Sequence, residues 1–385
     1  VLANQRVGGT LSQAITLGNT AAADGFSEGL NATIAASGTA TATGSFSLLA
    51  AGGSSNALGV GVNTVTAGAK SGVATITLAS DGTADGNSGF AAFGIGTQTV
   101  NVSGNVFRLA TASAAPAALV FSNVRQSTGT LQNITLSNTA AADGFSEGLN
   151  ANITATNGFT ASGSFSLLAA GASSSALGVS MDTSTAGARS GTATITLASD
   201  GTAVGNSGFG AFGIGTQVVN LSGGVFRLAS ASAATPSPVV LANQRVGGTL
   251  SQAITVGNTA AADGFSEGLN ATIAANDTST ATGSFSLLAA GGSSNAMSVG
   301  VNTVTAGAKS GVATITLASD GSAAGNSGFT AFGIGTQTVN VSGSVFRLAT
   351  ASAVTPSPVV LANQRVGGTL SQAITLGNTA AADGF

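Results

Sequence analysis

The side chains able to do chemistry in this chain are few, and they recur. Asp24 and Glu28 stand four apart, and the pair returns as Asp143 with Glu147 and as Asp263 with Glu267. Two carboxylates at this spacing are the raw material of general acid–base catalysis, which also needs shifted pKa values and a cleft. The surrounding residues offer only a turn entering a strand. A Ser–Lys dyad would need Lys70 or Lys309, but the second copy carries Arg189 there, which cannot act as a base. The chain has no His and no Cys. That excludes Ser-His-Asp and Cys-His nucleophiles, thiolate metal sites and a disulfide framework. The expectation is a protein with no catalytic, cofactor-binding or metal-ligating residues.

Calcium is the fairer competitor. The turn SDGTADG holds Asp81 and Asp85, and carboxylates in turns are hard oxygen ligands. However, Val204 and Ala324 replace Asp85 in the other copies. Asp-Gly is in any case ordinary turn chemistry, and that reading is preferred. Asn-x-Ser/Thr sites occur at Asn31, Asn101, Asn152, Asn220, Asn270 and Asn340. Alternation of Asn and Thr along the outer face of a strand produces this motif without glycosylation, which needs an exporting host. Six charges recur in each full copy and balance: Arg6, Lys70 and Arg108 against Asp24, Glu28 and Asp81. Their recurrence implies fixed pairing within or between domains. Exposed pairs contribute only about 0–1 kcal/mol each, so the role expected of them is positional.

These residues recur because the whole chain does. Phe26, Phe145, Phe265 and Phe385 mark the same point in successive copies, at intervals of 119, 120 and 120 residues. The chain is three copies plus the first 26 residues of a fourth, and residues 360–385 are identical to 1–26. A repeat of this length is too long for a solenoid coil and suits an autonomous domain. The expected domains are residues 1–108, 120–227 and 240–347, with 360–385 a partial fourth. The expected linkers are 109–119, 228–239 and 348–359. All five prolines fall in those linkers: Pro116, Pro236, Pro238, Pro356 and Pro358. Pro-Ser-Pro cannot join a central ladder and favours an extended, semi-rigid connection. An extended string is therefore expected, rising roughly 35–50 Å per repeat given a ten-residue strand of about 33 Å.

Within a copy the apolar residues alternate with period two. Leu11, Ile15 and Leu17 share one face, as do Leu30, Ala32 and Ile34; Phe46 and Leu48; Leu58, Val60 and Val62; Ala74, Ile76 and Leu78; and Val100 and Val102. With an opening strand at VLANQRV this makes about seven strands, separated by Gly, Asn and Asp turns. The fold class is all-β: tandem antiparallel β-sandwiches. Phe26, Phe46, Phe90, Phe93 and Phe107 are the expected core anchors, since Phe is usually buried.

The order VLANQRVGGTLSQAITLGNT, then GSFSLLAAGGSSNALGVGVNTVTAGAKSGVATITLASDG, then TVNVSGNVF resembles the Ig-like β-sandwich domains of the ASPM/SPD-2/Hydin type. It is especially similar to the repeats of bacterial choice-of-anchor D proteins. The resemblance covers nearly all of each repeat. It implies an Ig-like fold, an exported cell-surface or matrix location, and no catalytic residues. No anchor segment appears in these residues.

Composition bounds the remaining possibilities. Charged residues are 6%, against about 25% in an average protein, and the net charge of −3 offers no basic surface for nucleic acid. No run of 18 apolar residues exists, so no membrane-spanning helix is expected. There is no initiator Met or signal peptide, and the excerpt is expected to belong to a longer protein. Sparse charge weakens self-repulsion, and two Met with no Cys, Trp, Tyr or His leave little to oxidise. The reading is a structural region of a giant extracellular fibre, matrix or surface protein. Its expected partner is itself, through neighbouring repeats or chains in a filament, with cell-surface polysaccharide as the other class allowed. The alternative is the stalk of a ligand- or glycan-binding adhesin whose tip lies elsewhere. An intracellular scaffold fits the low charge less well.

Overall fold

The computed structural model describes residues 1–84, 87–323 and 326–385. Asp85 and Ala324, both at the candidate calcium turn, lie outside the described residues. Among those described there is no helix. Contacts group the chain into two units. One is Val1–Phe121 with Thr130–Asp182 and Ser190–Ser222; the other is Ser122–Gly129 with Thr183–Arg189 and Gly223–Phe385.

In the first unit, the first copy runs β1 (Gln5–Arg6), β2 (Ser12–Gly18), β3 (Gly29–Ala36), β4 (Ala40–Thr43), β5 (Ser45–Leu49), β6 (Ser54–Val62), β7 (Gly68–Asp81) and β8 (Phe93–Phe107). One sheet has the order β1-β8-β7-β3-β5 and the other β2-β6-β4. The ladders are antiparallel except that β1 runs parallel to β8, Gln5 opposite Val106 and Arg6 opposite Phe107. This is an Ig-like β-sandwich. The period-two pattern explains it: Leu58, Ala74, Ile76 and Val102 turn into the space between the sheets and are buried. Each fully buried aliphatic side chain contributes roughly 1.5–3 kcal/mol.

Leu48 departs from the expected alternation. Leu30 faces Leu49 and Ala32 faces Phe46, so two residues of β5 oppose one of β3. Leu48 takes the bulge with φ 54° and is 39% exposed. Its N–H donates to Oδ1 of Asn31 at 2.6 Å, which holds the left-handed backbone. Leu167 and Leu287 repeat the conformation. Gly29 is required beside it, because a Cβ there would lie 2.8 Å from the Leu48 Cα.

The second copy shows what the proline-bearing stretches do. Residues 109–119 are not a free connection. They supply β9 (Ala112–Ala115) and the start of β10 (Ala118–Val120), with Pro116 between the two ladders. Then follow β11 (Val124–Arg125), β12 (Gln132–Asn138), β13 (Gly148–Ala155), β14 (Phe159–Ser162), β15 (Ser164–Leu168), β16 (Ser173–Met181), β17 (Gly187–Asp200) and β18 (Phe212–Phe226). β9 pairs antiparallel with β12, Ala115 opposite Thr135 and Ala112 opposite Asn138. The smaller sheet becomes β14-β16-β12-β9. Proline is tolerated because it sits at strand ends, where no ladder N–H is needed.

In the second unit the third copy repeats this order from Val239–Val240 to Phe332–Phe346. Residues 228–239 again pair with the copy that follows them, through Ala231 with Asn258 and Thr235 with Thr255. So do residues 348–359, through Ala351 with Asn378 and Thr355 with Thr375.

The aromatic anchors also differ from expectation. Phe107 is buried and Phe46 half-buried, but Phe26 is 94%, Phe90 70% and Phe93 72% exposed. The space between the sheets is filled by Leu, Ile, Val and Ala, and these three rings lie at strand ends outside it. Replacing Ile76 with Ala should therefore cost about 2–4 kcal/mol, while Phe90→Ala should stay within about 0.5 kcal/mol. Urea unfolding of the two variants checks this; comparable losses would contradict the assignment.

Candidate functional site

In the first unit an organised polar cluster surrounds Glu147. The turn after β12 brings Glu147 to the start of β13, and its carboxylate is fully buried. The end of β17 places Ser199 beneath it, and the following loop places Ser207 beside it. Ser199 Oγ donates to Oε2 at 2.8 Å and Ser207 Oγ to Oε1 at 2.6 Å. Gly201, in the Asp-Gly turn, makes room: a Cβ there would lie 1.7 Å from Ser207 Oγ. The Asp-Gly of each copy thus serves close approach as well as turning.

A buried carboxylate needs a counter-charge, and here it comes from the preceding copy. β1 carries Arg6, whose Nε donates to Glu147 Oε1 at 2.9 Å and whose Nη2 donates to Oε2 at 3.0 Å. Nη2 also donates to the Gly210 carbonyl at 3.0 Å. The guanidinium lies 4.9 Å from the Phe209 ring centroid and 5.3 Å from that of Phe212. Asn4 Nδ2 donates to the Ser207 carbonyl at 3.0 Å. This is a bidentate pair with aromatic faces on the cation, a geometry only arginine fits.

Beside it is a second pair. Arg108 Nη1 donates to both oxygens of Asp143 at 2.7 and 2.8 Å and to Ser146 Oγ at 2.9 Å. The backbone knits the same spot: Arg108 N–H donates to the Phe145 carbonyl, and Glu147 N–H donates to the Arg108 carbonyl. The Phe107 and Phe145 rings meet at a tilt of 50°, their centroids 5.7 Å apart.

The second unit contains the same constellation with the same geometry. Arg125 holds Glu267 at 2.9 Å through both nitrogens, donates to the Thr330 carbonyl, and lies over Phe329 and Phe332. Ser319 and Ser327 donate to Glu267. Arg227 pairs with Asp263, and Phe226 meets Phe265 at 5.4 Å. Arg347 pairs with Asp383, and Phe346 meets Phe385 at 5.7 Å.

The residues singled out for chemistry are therefore placed as follows. The Asp–Glu pairs are not set across a cleft; each carboxylate with an upstream neighbour takes its own arginine. Lys70 and Lys309 are buried and donate to Thr66 and Thr305, not to a serine. Asp81 accepts from the Thr83 hydroxyl and N–H and from Asn31, which holds its carboxyl below the ordinary aspartate value. Asn31 and Asn270 use their amides on Asp81 and Asp320, while Asn101, Asn152, Asn220 and Asn340 are exposed. No cluster of three metal-ligating side chains occurs among the described residues, and no described helix is long and apolar enough to cross a membrane. The sequence singles out Arg6, Glu28 and the recurring Phe residues but does not join them across copies.

No protein-family model and no curated protein matches the chain. Among solved structures, the titin I-band fragment I67-I69 is 9% identical, covers 90% of this chain and 95% of its own, and has a TM-score of 0.31. Mouse Protocadherin-24 EC1-3 is 13% identical, with 71% and 80% covered and a TM-score of 0.33. The ASH / PapD-like domain 7 of human CEP192 is 9% identical, with 31% and 87% covered and a TM-score of 0.24. The class stated here, tandem Ig-like β-sandwiches, rests on the sheets themselves.

Two outcomes follow. Arg6→Ala leaves a buried carboxylate with two serine hydroxyls and water, and should cost about 2–3 kcal/mol, with Arg6→Lys recovering only part; urea unfolding measures both. Separately, the Arg108 guanidinium, then the Phe145 N–H, hold the Asp143 carboxyl below its ordinary value. Arg227 does the same for Asp263. A carboxyl lowered in the folded state stabilises fully above the ordinary aspartate value and loses that contribution as pH falls through the lowered one. Urea midpoints should thus be flat from neutrality to about pH 5 and fall below about pH 4. In Arg108→Ala the acid decline should be shallower; an unchanged decline would contradict the pairing.

Proposed function

We propose that this chain is a non-enzymatic structural repeat region of an extracellular fibre, matrix or surface protein, whose sandwiches are joined by arginine clasps to bear load and hold position. The observation that carries it is the recurrence of one clasp, with the same partners and distances, at Glu147 and at Glu267. A site evolved for turnover would expose its carboxylates to substrate; these are buried under an arginine and two serines. The likeness to choice-of-anchor D repeats supports the extracellular setting, as does the scarcity of charged and oxidisable residues. A self-associating filament is the partner reading, with surface polysaccharide as the second class of contact.

The test is single-molecule pulling. Each sandwich should unfold as a discrete step with a contour gain of roughly 350–400 Å, from about 120 residues at 3.3–3.6 Å each less the folded length. Arg6→Ala and Arg125→Ala should lower the step forces. Featureless extension without steps would overturn the load-bearing reading.

A further inference from the structure

In the second unit a cavity of about 540 Å³ opens beside the clasp, and Arg125, Gln126, Arg227, Leu228, Ser230 and Phe332 are among the residues that line it. Its size suits a small-molecule ligand. β11 delivers Arg125 and then Gln126. The end of β18 leads into Arg227, Leu228 and Ser230, and Phe332 opens the strand Phe332–Phe346. The polar members share one property. Part of each side chain is fixed by the fold, and another part is left unused.

Arg227 spends only its Nη1, which donates to both oxygens of Asp263, to Ser266 Oγ and to the Ala261 carbonyl. Its Nε and Nη2 have no hydrogen-bond partner among the described residues. Those two nitrogens form the edge with which a guanidinium grips two oxygens at once. Arg125 is the converse: Nε and Nη2 hold Glu267 and the Thr330 carbonyl, and Nη1 has no partner among the described residues. Gln126 Nε2 donates to the Ser184 carbonyl at 3.1 Å, which leaves its Oε1 as an acceptor. Ser230 Oγ accepts from Thr259 Oγ1 at 3.1 Å, and its own proton is uncommitted. Phe332 is 52% exposed although Arg125 lies over it.

The unused groups select the chemistry of the ligand. A carboxylate or phosphate would take the arginine N–H groups but has no hydrogen for Gln126 Oε1. Nor does charge call for an anion. Glu267 and Asp263 already balance the two guanidiniums, and Asp320 lies within the field of Arg125. A hydroxyl both accepts and donates. Two neighbouring hydroxyls on one ring match the open edge of Arg227, and their hydrogens find Gln126 Oε1 and Ser230 Oγ. The carbon face of such a ring would take the apolar surface of Phe332 and Leu228 out of water.

We infer that this cavity binds a neutral, hydroxyl-rich sugar unit, held by the free edge of Arg227, by Gln126 and Ser230, and by the ring of Phe332. The inference rests on the polysaccharide contact proposed above and gives that contact a place, beside the clasp. The first unit carries the same arginines and ring as Arg6, Arg108 and Phe212, and Arg108 likewise spends only Nη1 among the described residues. However, Val7 stands where Gln126 stands, and Thr111 where Ser230 stands. Without the amide acceptor that joint lacks the group that distinguishes a hydroxyl from an anion, so the site is assigned to the second unit.

Saturation-transfer NMR on the full chain tests this with cellobiose, maltose, mannobiose and chitobiose as neutral probes, and with glucuronate and inorganic phosphate as anionic ones. A neutral disaccharide should bind with a Kd of about 1 mM. Gln126→Val installs the residue that the chain itself carries at Val7. Arg227→Lys keeps a cation for Asp263 and removes the open edge. Each should weaken sugar binding about tenfold, as expected for the loss of one or two hydrogen bonds, and urea unfolding shows that each variant is folded. Sugar binding indifferent to both variants would overturn this site alone and leave a polysaccharide contact elsewhere on the chain standing. No binding by any of these sugars, or binding of the anions alone, would overturn the site and the contact it rests on. Stepwise unfolding under force is read without sugar, so the load-bearing reading stands or falls separately.

Discussion

A carboxylate taken out of water must be answered by a charge, and this chain answers it from the neighbouring repeat. Glu147 and Glu267 are fully buried, and burying such a group alone would cost several kcal/mol. The two serines beneath each supply hydrogen bonds but no charge. Only the upstream arginine completes the balance, so the position of one sandwich is written into the electrostatics of the next. An apolar contact of similar area would tolerate sliding; a bidentate guanidinium with a ring on its face does not. The energetic worth of the pair is modest because desolvation offsets the attraction. Its worth as a geometric constraint is high. Local architecture follows from that demand: the Asp-Gly turn that lets Ser207 approach, and the parallel β1 that delivers Arg6.

Much of the sandwich is legible in the sequence because its physics is local. Ile76 and Leu78 alternate with Thr75 and Thr77, and the strand forms with that face inward. Leu48 escapes such a reading because a bulge shifts the alternation by one residue. The signal for that bulge is an asparagine side chain on another strand, since Asn31 lies 17 positions upstream of the N–H it accepts from. The proline stretches escape it for a related reason. Pro116 marks a ladder end, but β9 beside it finds its partner in β12, beyond two intervening strands. Its own sequence, ASAA, carries no large apolar residue to announce a strand.

The joint is legible only as a hint. Six recurring charges in so neutral a chain announce fixed pairing, but Arg6 and Glu147 are 141 residues apart. Near-identical copies also give Glu28, Glu147 and Glu267 equal claim on any one arginine, so sequence repetition conceals the register it creates. Size alone points the phenylalanines inward. Phe209 and Phe212 instead serve as a flat, electron-rich wall for a cation, and Phe145 as a lid on Phe107. The rings of Phe145, Phe209 and Phe212 are placed at the joint, while the buried core of each copy is chiefly Leu, Ile, Val and Ala.

Repetition also sets the manner in which such a chain handles its own edges. Natural sheets protect open edges with charge, proline or bulges. β2 carries no charge and no proline: its sequence is SQAITLG. In the later copies the same strand needs no protection, since the preceding proline stretch covers it. A repeat that relies on its neighbour for edge cover gains nothing from protecting itself, and protection would obstruct the joint. The uncharged edge of β12, the buried Glu147 and the ring of Phe145 set against Phe107 thus share one physical origin. Each is a group whose proper environment is another copy of the same sequence.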